Sequence, residues 1–205
     1  MVRRKAMREI VKMLVVLTAI SVVSGGTLAY IEKATREPIE YQKLRFVKGP
    51  AVLAVLSGYD NDPIKDYQKD VLLGKKENLN VRKSLFPAKK NGKCFAVAFE
   101  VPGEGYGGSM GIMIGIELKT GHLTGMRVMT HSETPGLGAR SVEPAFYKQF
   151  SGLSPQTVAL SDKGGKINAI SGATVTSQGV VAAVKKGLDL FQMSKEEILT
   201  ALKTQ

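Results

Sequence analysis

The chain has 205 residues, enough for one good core with a small appendage. Of its net charge of +11, +4 lies in the first twelve residues; the remaining +7 is scattered as short basic pairs (Lys75-Lys76, Lys89-Lys90, Lys185-Lys186) among acids and glycines, and there is no Trp. That is solvated surface charge, and it excludes the clustered, aromatic-interleaved footprint of a nucleic-acid binder. One cysteine, Cys94, rules out an intramolecular disulfide and any cysteine-based metal site. His122 and His131 have no ligand partner at helical spacing, so no metal site is expected.

In chain order, residues 1–9 form a basic N-terminus and residues 10–30 a membrane anchor. Met13 to Tyr30 is a run of eighteen residues without a charge. As a helix it is about 27 Å long, near the hydrocarbon thickness of a bilayer. Lys12 can snorkel, which extends the span to Ile10. A cleaved signal peptide is the competing reading, with small residues at Ser24-Gly25-Gly26. The apolar run is long for that role, and helix formers (Ile31, Glu32, Lys33, Ala34) follow it. No cysteine follows the run to carry a lipid. Arg3, Arg4, Lys5, Arg8 and Lys12 stand against Glu9 before the span. This predicts a single-pass protein of the inner (cytoplasmic) membrane, with a cytoplasmic N-terminus and an extracytoplasmic main domain.

Residues 31–93 read as a helical and irregular linking region. Positions 31–57 have helical spacing, with Pro38 near a helix start and Gly49-Pro50 as an interruption. Residues 58–93 are polar and punctuated by turn residues, with a helical piece expected at Tyr67–Leu73.

Residues 94–205 read as the main domain. Cys94–Val101, Ser109–Leu118 and Leu123–Thr130 alternate with period two, which predicts an antiparallel meander. A short helix is expected over Val142–Phe150 with Ser141 as N-cap, then short strands at Thr157–Leu160 and Lys166–Ile170. Val180, Val181, Val184, Leu188 and Phe191 share one helical face. A last helix, Lys195–Leu202, has Ser194 and Glu197 at capping-box spacing. The predicted fold class is α+β, a largely antiparallel sheet with flanking helices, preceded by one N-terminal transmembrane helix.

Two loops are unlike ordinary connections. One is His131-Ser132-Glu133-Thr134-Pro135-Gly136-Leu137-Gly138; the other is Ser171-Gly172-Ala173-Thr174-Val175-Thr176-Ser177. A strand-to-helix turn with Thr176 or Ser177 as N-cap explains one hydroxyl of the second loop. It leaves Gly172-Ala173 unexplained. A helix N-terminus presents unpaired N–H groups and partial positive charge, and small residues let a phosphate approach it. A serine hydrolase is disfavoured, because Gly-x-Ser-x-Gly is absent and no acid partners His131.

With both loops and "GYGGSMGIMIGIELKTGHLTGMRV" in view, residues 103 to 180 resemble the FMN-binding domain of the G subunit of the Rnf electron-transport complex. The C subunit of the sodium-translocating NADH:quinone oxidoreductase shares that domain. The resemblance implies FMN held covalently by a phosphoester to Thr174, attached by a separate flavin transferase that uses FAD as donor. It implies cofactor contacts from Ser171, Gly172, Ala173, Val175 and Thr176, from Glu133, Thr134, Pro135, Gly136 and Leu137, and from Tyr106 and Gly107. No proton-abstracting catalytic residue is expected. The protein is then a redox subunit, without independent activity, of a complex coupling electron flow between ferredoxin and NAD to ion transport. Its partners are the other membrane and redox subunits of that complex. The family usually places Asp six residues before the acceptor threonine; here Asn168 stands there. The competing expectations are an anchored extracytoplasmic binding or assembly module without covalent flavin, and a flavin carrier of another respiratory complex.

Overall fold

A computed structural model describes residues 2–74 and 80–203, without the side chains of residues 2–6 and 37. The pair Lys75-Lys76 and the side chains of Arg3, Arg4 and Lys5 therefore lie outside the described residues. The chain forms two compact units, Met1–Lys43 and Leu44–Gln205.

The first unit holds one long helix, α1 (Val2–Gln42). Leu14, Val15, Leu17, Ile20, Val22, Val23 and Leu28 are all exposed on it. A helical stretch apolar all round suits a lipid surround. The helical stretch from Met7 is long and apolar enough to cross a membrane. Pro38 lies inside α1 rather than near a helix start. The helix formers before it carry the helix through, and the ring removes only one backbone bond.

A π-helical stretch, Lys43–Lys48, starts at the last residue of the first unit and precedes α2 (Gly49–Val55), with Pro50 in the first turn of α2. Pro50 has no N–H to offer, and that is where a helix start tolerates it. Five strands follow: β1 (Gln68–Leu73), β2 (Val81–Lys90), β3 (Lys93–Glu104), β4 (Ser109–Glu117) and β5 (Leu123–Thr130). They form one antiparallel meander in sequence order. After β5 come short helical turns, including α3 (Pro144–Tyr147), then α4 (Thr174–Met193) and α5 (Lys195–Lys203).

The pleat divides the core. Val97, Phe99 and Val101 pair with Ile116, Ile114 and Ile112, and with α4 and α5 they form the larger core. Ala88, Ala96, Ala98 and Met113 point the other way, towards α2. Small residues on that second face let α2 lie close. A Cβ on Gly115 would come within 2.6 Å of the Val55 carbonyl oxygen, to which Thr124 Oγ1 donates a hydrogen bond. On the larger-core side, α4 presents Gly179, Ala183 and Gly187 to the sheet. A Cβ on Gly179 would stand 1.8 Å from the Glu104 carbonyl oxygen, and one on Gly187 2.4 Å from Ile114 Cδ1. The Arg127 guanidinium lies 3.2 Å from the centroid of the Tyr147 ring, a cation–π contact between β5 and α3.

Ile114 is fully buried against this helix. Ile114→Val should cost about 1 kcal/mol, because one methylene leaves a site that cannot collapse. Denaturant unfolding of the two proteins, with unchanged m-value, checks this.

The meander, β5 at its expected bounds, and the buried face of α4 agree with the sequence reading. Five local expectations are corrected. The helical piece at Tyr67–Leu73 is strand β1, stabilised by pairing with β2. The two short strands after residue 157 reduce to a single parallel bridge, Leu160↔Ile167. Ser141 does not cap a helix: it sits within a 3-10 turn, Gly138–Val142, and its hydroxyl is buried without a partner. Helix α3 starts only after the extended Glu143. Finally, Ser194 and Glu197 do meet, but on the N–H of Gly74 at the end of β1, at 2.8 and 2.9 Å. They fasten α5 to the edge strand.

Candidate functional site

Three loops converge at the N-terminus of α4: 105–108 between β3 and β4, 131–138 after β5, and 170–173 before the helix. Together they enclose a cleft of about 440 Å³, within the usual range for a bound small molecule. Its lining includes Glu133, Leu137, Gly138, Gly172, Thr174 and Thr176.

The second loop folds as it does because of Gly172 and Ser177. Gly172 has φ +78°, in the left-handed region. The Ala173 N–H then returns to the Ile170 carbonyl at 2.9 Å. Ser177 is fully buried beneath this turn; its Oγ accepts from the Ile170 N–H at 2.9 Å and donates to the Ala173 carbonyl at 3.0 Å. The turn therefore closes before Thr174, and α4 begins there, with Ala173 in the N-cap position and no side chain capping the helix. This corrects the expected N-cap at Thr176 or Ser177. Both hydroxyls point inward and serve other partners, so the first N–H groups of α4 face the cleft without a side-chain acceptor.

Thr174 and Val175 are exposed at the mouth of the cleft, as are Leu137 and Tyr106, the last at 77 %. Glu133 is the opposite case, only 6 % exposed. Its Oε1 accepts from the Gly107 N–H at 2.9 Å, and its Oε2 accepts from Thr176 Oγ1 at 2.7 Å. Its own N–H donates to His131 Nδ1 at 3.2 Å. Two further glycines make room for the carboxylate: a Cβ on Gly105 would lie 2.0 Å from Oε1, and one on Gly138 2.1 Å from Oε2.

Of the residues singled out in the sequence, Tyr106, Glu133, Thr134, Leu137, Gly172, Ala173, Thr174, Val175 and Thr176 line the cleft. Ser171, Pro135, Gly136 and Gly107 do not. Gly136 makes the exposed turn of its loop at φ +74°, and Gly107 reaches the site through its N–H alone. Gly138 belongs to the cleft and is not among those residues; the second glycine of "PGLG" is its only signal in the sequence. Among the described residues no group of His, Cys, Asp and Glu is placed to hold a metal.

The family model described as the FMN-binding domain matches residues 105–189, which contain all three loops. The G subunit of an ion-translocating oxidoreductase complex from Cereibacter sphaeroides is 32% identical over 190 residues, covering 89% of this chain and 84% of that one. The equivalent protein from Pseudomonas aeruginosa is 30% identical over 203 residues, covering 94% and 93%. The chain belongs to the G-subunit family of ion-translocating oxidoreductase complexes. It is thus one component of such a complex and contains its FMN-binding domain. Among solved structures, the C subunit of the sodium-translocating NADH-quinone reductase from Parabacteroides distasonis aligns with a TM-score of 0.46 at 21% identity. That alignment covers 73% of this chain and 74% of that one.

The geometry of this G-subunit protein fits FMN. A phosphate needs N–H donors and close backbone approach, and the uncapped start of α4 beside Gly172 offers both. The ring system needs a partly apolar wall, and Leu137, Ala173 and Val175 provide one. Asn168 lies outside the cleft. It is exposed, and its backbone N–H donates to Gln149 Oε1 at 2.8 Å.

Proposed function

We propose that this protein carries FMN covalently, as a phosphoester of Thr174, and relays electrons within its ion-translocating complex. The observation that supports this most is an exposed threonine hydroxyl at the first position of an uncapped helix, inside a cleft of flavin-compatible size. Attachment by a flavin transferase forms the bond from Thr174 Oγ1 to the FMN phosphorus of FAD. The pyrophosphate bond breaks, AMP leaves with its electron pair, and the hydroxyl proton passes to a base of the transferase. Thr174 needs no neighbouring base of its own, and among the described residues the cleft provides only Glu133, which is already engaged.

When bound, FMN supplies single-electron chemistry. The chain's residues do the rest. The first turn of α4 would hold the phosphate, and Leu137, Val175 and Tyr106 would line the space for the ring. The anchor holds the domain at the membrane, with the N-terminus cytoplasmic and the domain extracytoplasmic. The tether keeps the cofactor from being lost there. The partners are the other membrane and redox subunits of the complex, with electron flow between ferredoxin and NAD as the coupled reaction.

The test is peptide mass spectrometry on protein co-expressed with a flavin transferase. An FMN-sized adduct on the peptide containing Thr174 is expected. An unmodified peptide alongside a transferase proven active on another substrate would overturn covalent attachment.

Asn168 favours a second reading, an anchored module without covalent flavin, because the family's carboxylate is absent. Its exposure makes it available to a transferase rather than to the flavin. Asn168→Asp should therefore raise the initial rate of flavin transfer by about tenfold, the size of one charge-assisted hydrogen bond. An equal rate for the two proteins means that the carboxylate is dispensable.

A further inference from the structure

Glu133 is a buried carboxylate whose bonds do not end at a cation. No salt bridge to it occurs among the described side chains; its partners are a loop N–H and a helix hydroxyl. Leaving a carboxylate nearly out of water is costly unless hydrogen bonds satisfy it. Two glycines, Gly105 and Gly138, have given up side chains to let it in. What the arrangement achieves is connection. Oε1 holds the loop between β3 and β4, Oε2 holds the third residue of α4, and the Glu133 backbone belongs to the remaining loop. One side chain thus ties together all three walls of the cleft, two residues away from Thr174.

We propose that Glu133 is a positioning residue for flavin attachment. By fastening Thr176 to the 105–108 loop it fixes the first turn of α4, and so fixes where the Thr174 hydroxyl meets the incoming phosphorus. It acts through Thr176 and Gly107 rather than on the reacting oxygen. This rests on the reading that Thr174 is the acceptor.

The test is in vitro flavin transfer, with FAD and a purified transferase, to the full-length unmodified chain. Wild type, Glu133→Ala, Glu133→Gln and Gly138→Ala are compared. In Glu133→Ala the turnover rate should fall about a hundredfold, the usual consequence of misplacing a reacting group by an ångström. The KM for the acceptor protein should hold. Partial unfolding gives the opposite split, because it lowers the concentration of competent acceptor and raises the apparent KM alone. Glu133→Gln should recover most of the rate. Its amide oxygen accepts from Gly107 while its NH₂ donates to Thr176, whose hydroxyl accepts as readily as it donates. Gly138→Ala keeps the carboxylate but displaces it, so it should reproduce the turnover defect even if Glu133→Ala fails to fold. Wild-type turnover in both Glu133→Ala and Gly138→Ala overturns the proposal. So does a rise in KM alone, or a Glu133→Gln protein as slow as the alanine variant. A wild-type chain that accepts no flavin rejects the Thr174 reading itself, a result separate from all of these.

Discussion

Thr174→Val should leave the chain folded and abolish covalent flavin completely. Valine has the shape of threonine with a methyl in place of the hydroxyl. Position 174 is exposed, and its side chain makes no hydrogen bond in the described structure. A surface change of this kind moves stability by no more than about 0.5 kcal/mol. The attachment is all-or-none because it needs one oxygen nucleophile. Thr176, two residues on, cannot substitute: it is 1 % exposed and its hydroxyl is committed to Glu133. Thr134 is the other threonine in the lining, and it lies on a different wall. The measurement is in-gel flavin fluorescence after denaturation, where only covalent flavin remains. A fluorescent band in wild type and Thr174→Ser, and none in Thr174→Val, is the expected pattern. A band that persists in Thr174→Val locates the bond elsewhere, with Thr134 the next residue to replace.

The second large effect is on the fold. Gly179→Val should destabilise the protein by about 3 kcal/mol or more, since overpacking here meets main chain instead of a side chain that can turn aside. The new Cβ would stand 1.8 Å from the Glu104 carbonyl oxygen, a separation no real contact allows. Either α4 lifts away from β3 or the end of β3 moves. Both disturb the 105–108 loop and the start of α4 together. For a domain of this size such a loss lowers Tm by roughly 10 °C. Thermal unfolding followed by circular dichroism checks it. Gly179→Ala should move in the same direction by less. A Tm within about 2 °C of wild type for the valine variant means that α4 is free to shift, contrary to the packing described.

The parts of this molecule that could be read from its sequence are those with a local signature. Strands β3 and β4 stand out as apolar runs covered on both faces, with Val97, Phe99 and Ile114 towards one core and Ala96, Ala98 and Met113 towards the other. Strands β1 and β2 carry no such signature. Lys69 and Asp70 lie side by side in β1, and Pro87 sits inside β2. Pro87 is tolerated because the described β1 partners stop at Leu85; beyond them the Asn61 side chain donates to the Pro87 carbonyl, which asks nothing of the missing N–H. That is a fact of pairing, and pairing is not written in a window of six residues.

The site divides in the same way. Glu133 and Thr174 stand out in sequence as part of unusual loops, and the structure brings both to one cleft. The tie from Glu133 to Thr176 spans 43 positions, and no spacing rule points to it. Gly138 is invisible for the same reason: its use is to be empty beside a carboxylate that arrives from five residues back. The sequence misplaces the N-cap of α4 by three or four residues because Thr176 and Ser177 resemble N-caps, whereas Ala173 holds that position. In the fold Ser177 is a buried brace for the preceding turn.

The seam of Gly179, Ala183 and Gly187 also bears on how the chain can change over time. Where a helix rests on a sheet through large side chains, each exchange of leucine for isoleucine or valine resets its height and tilt. Here α4 sits directly on the Glu104 carbonyl, so its depth is set by main-chain atoms common to every sequence. The aliphatic residues around it can therefore drift without moving the mouth of the cleft. Mutational tolerance should be high at Val180, Val184 and Leu188, provided volume is kept, and close to nil at Gly179. Thr174 would then keep its place through generations of change in the core behind it.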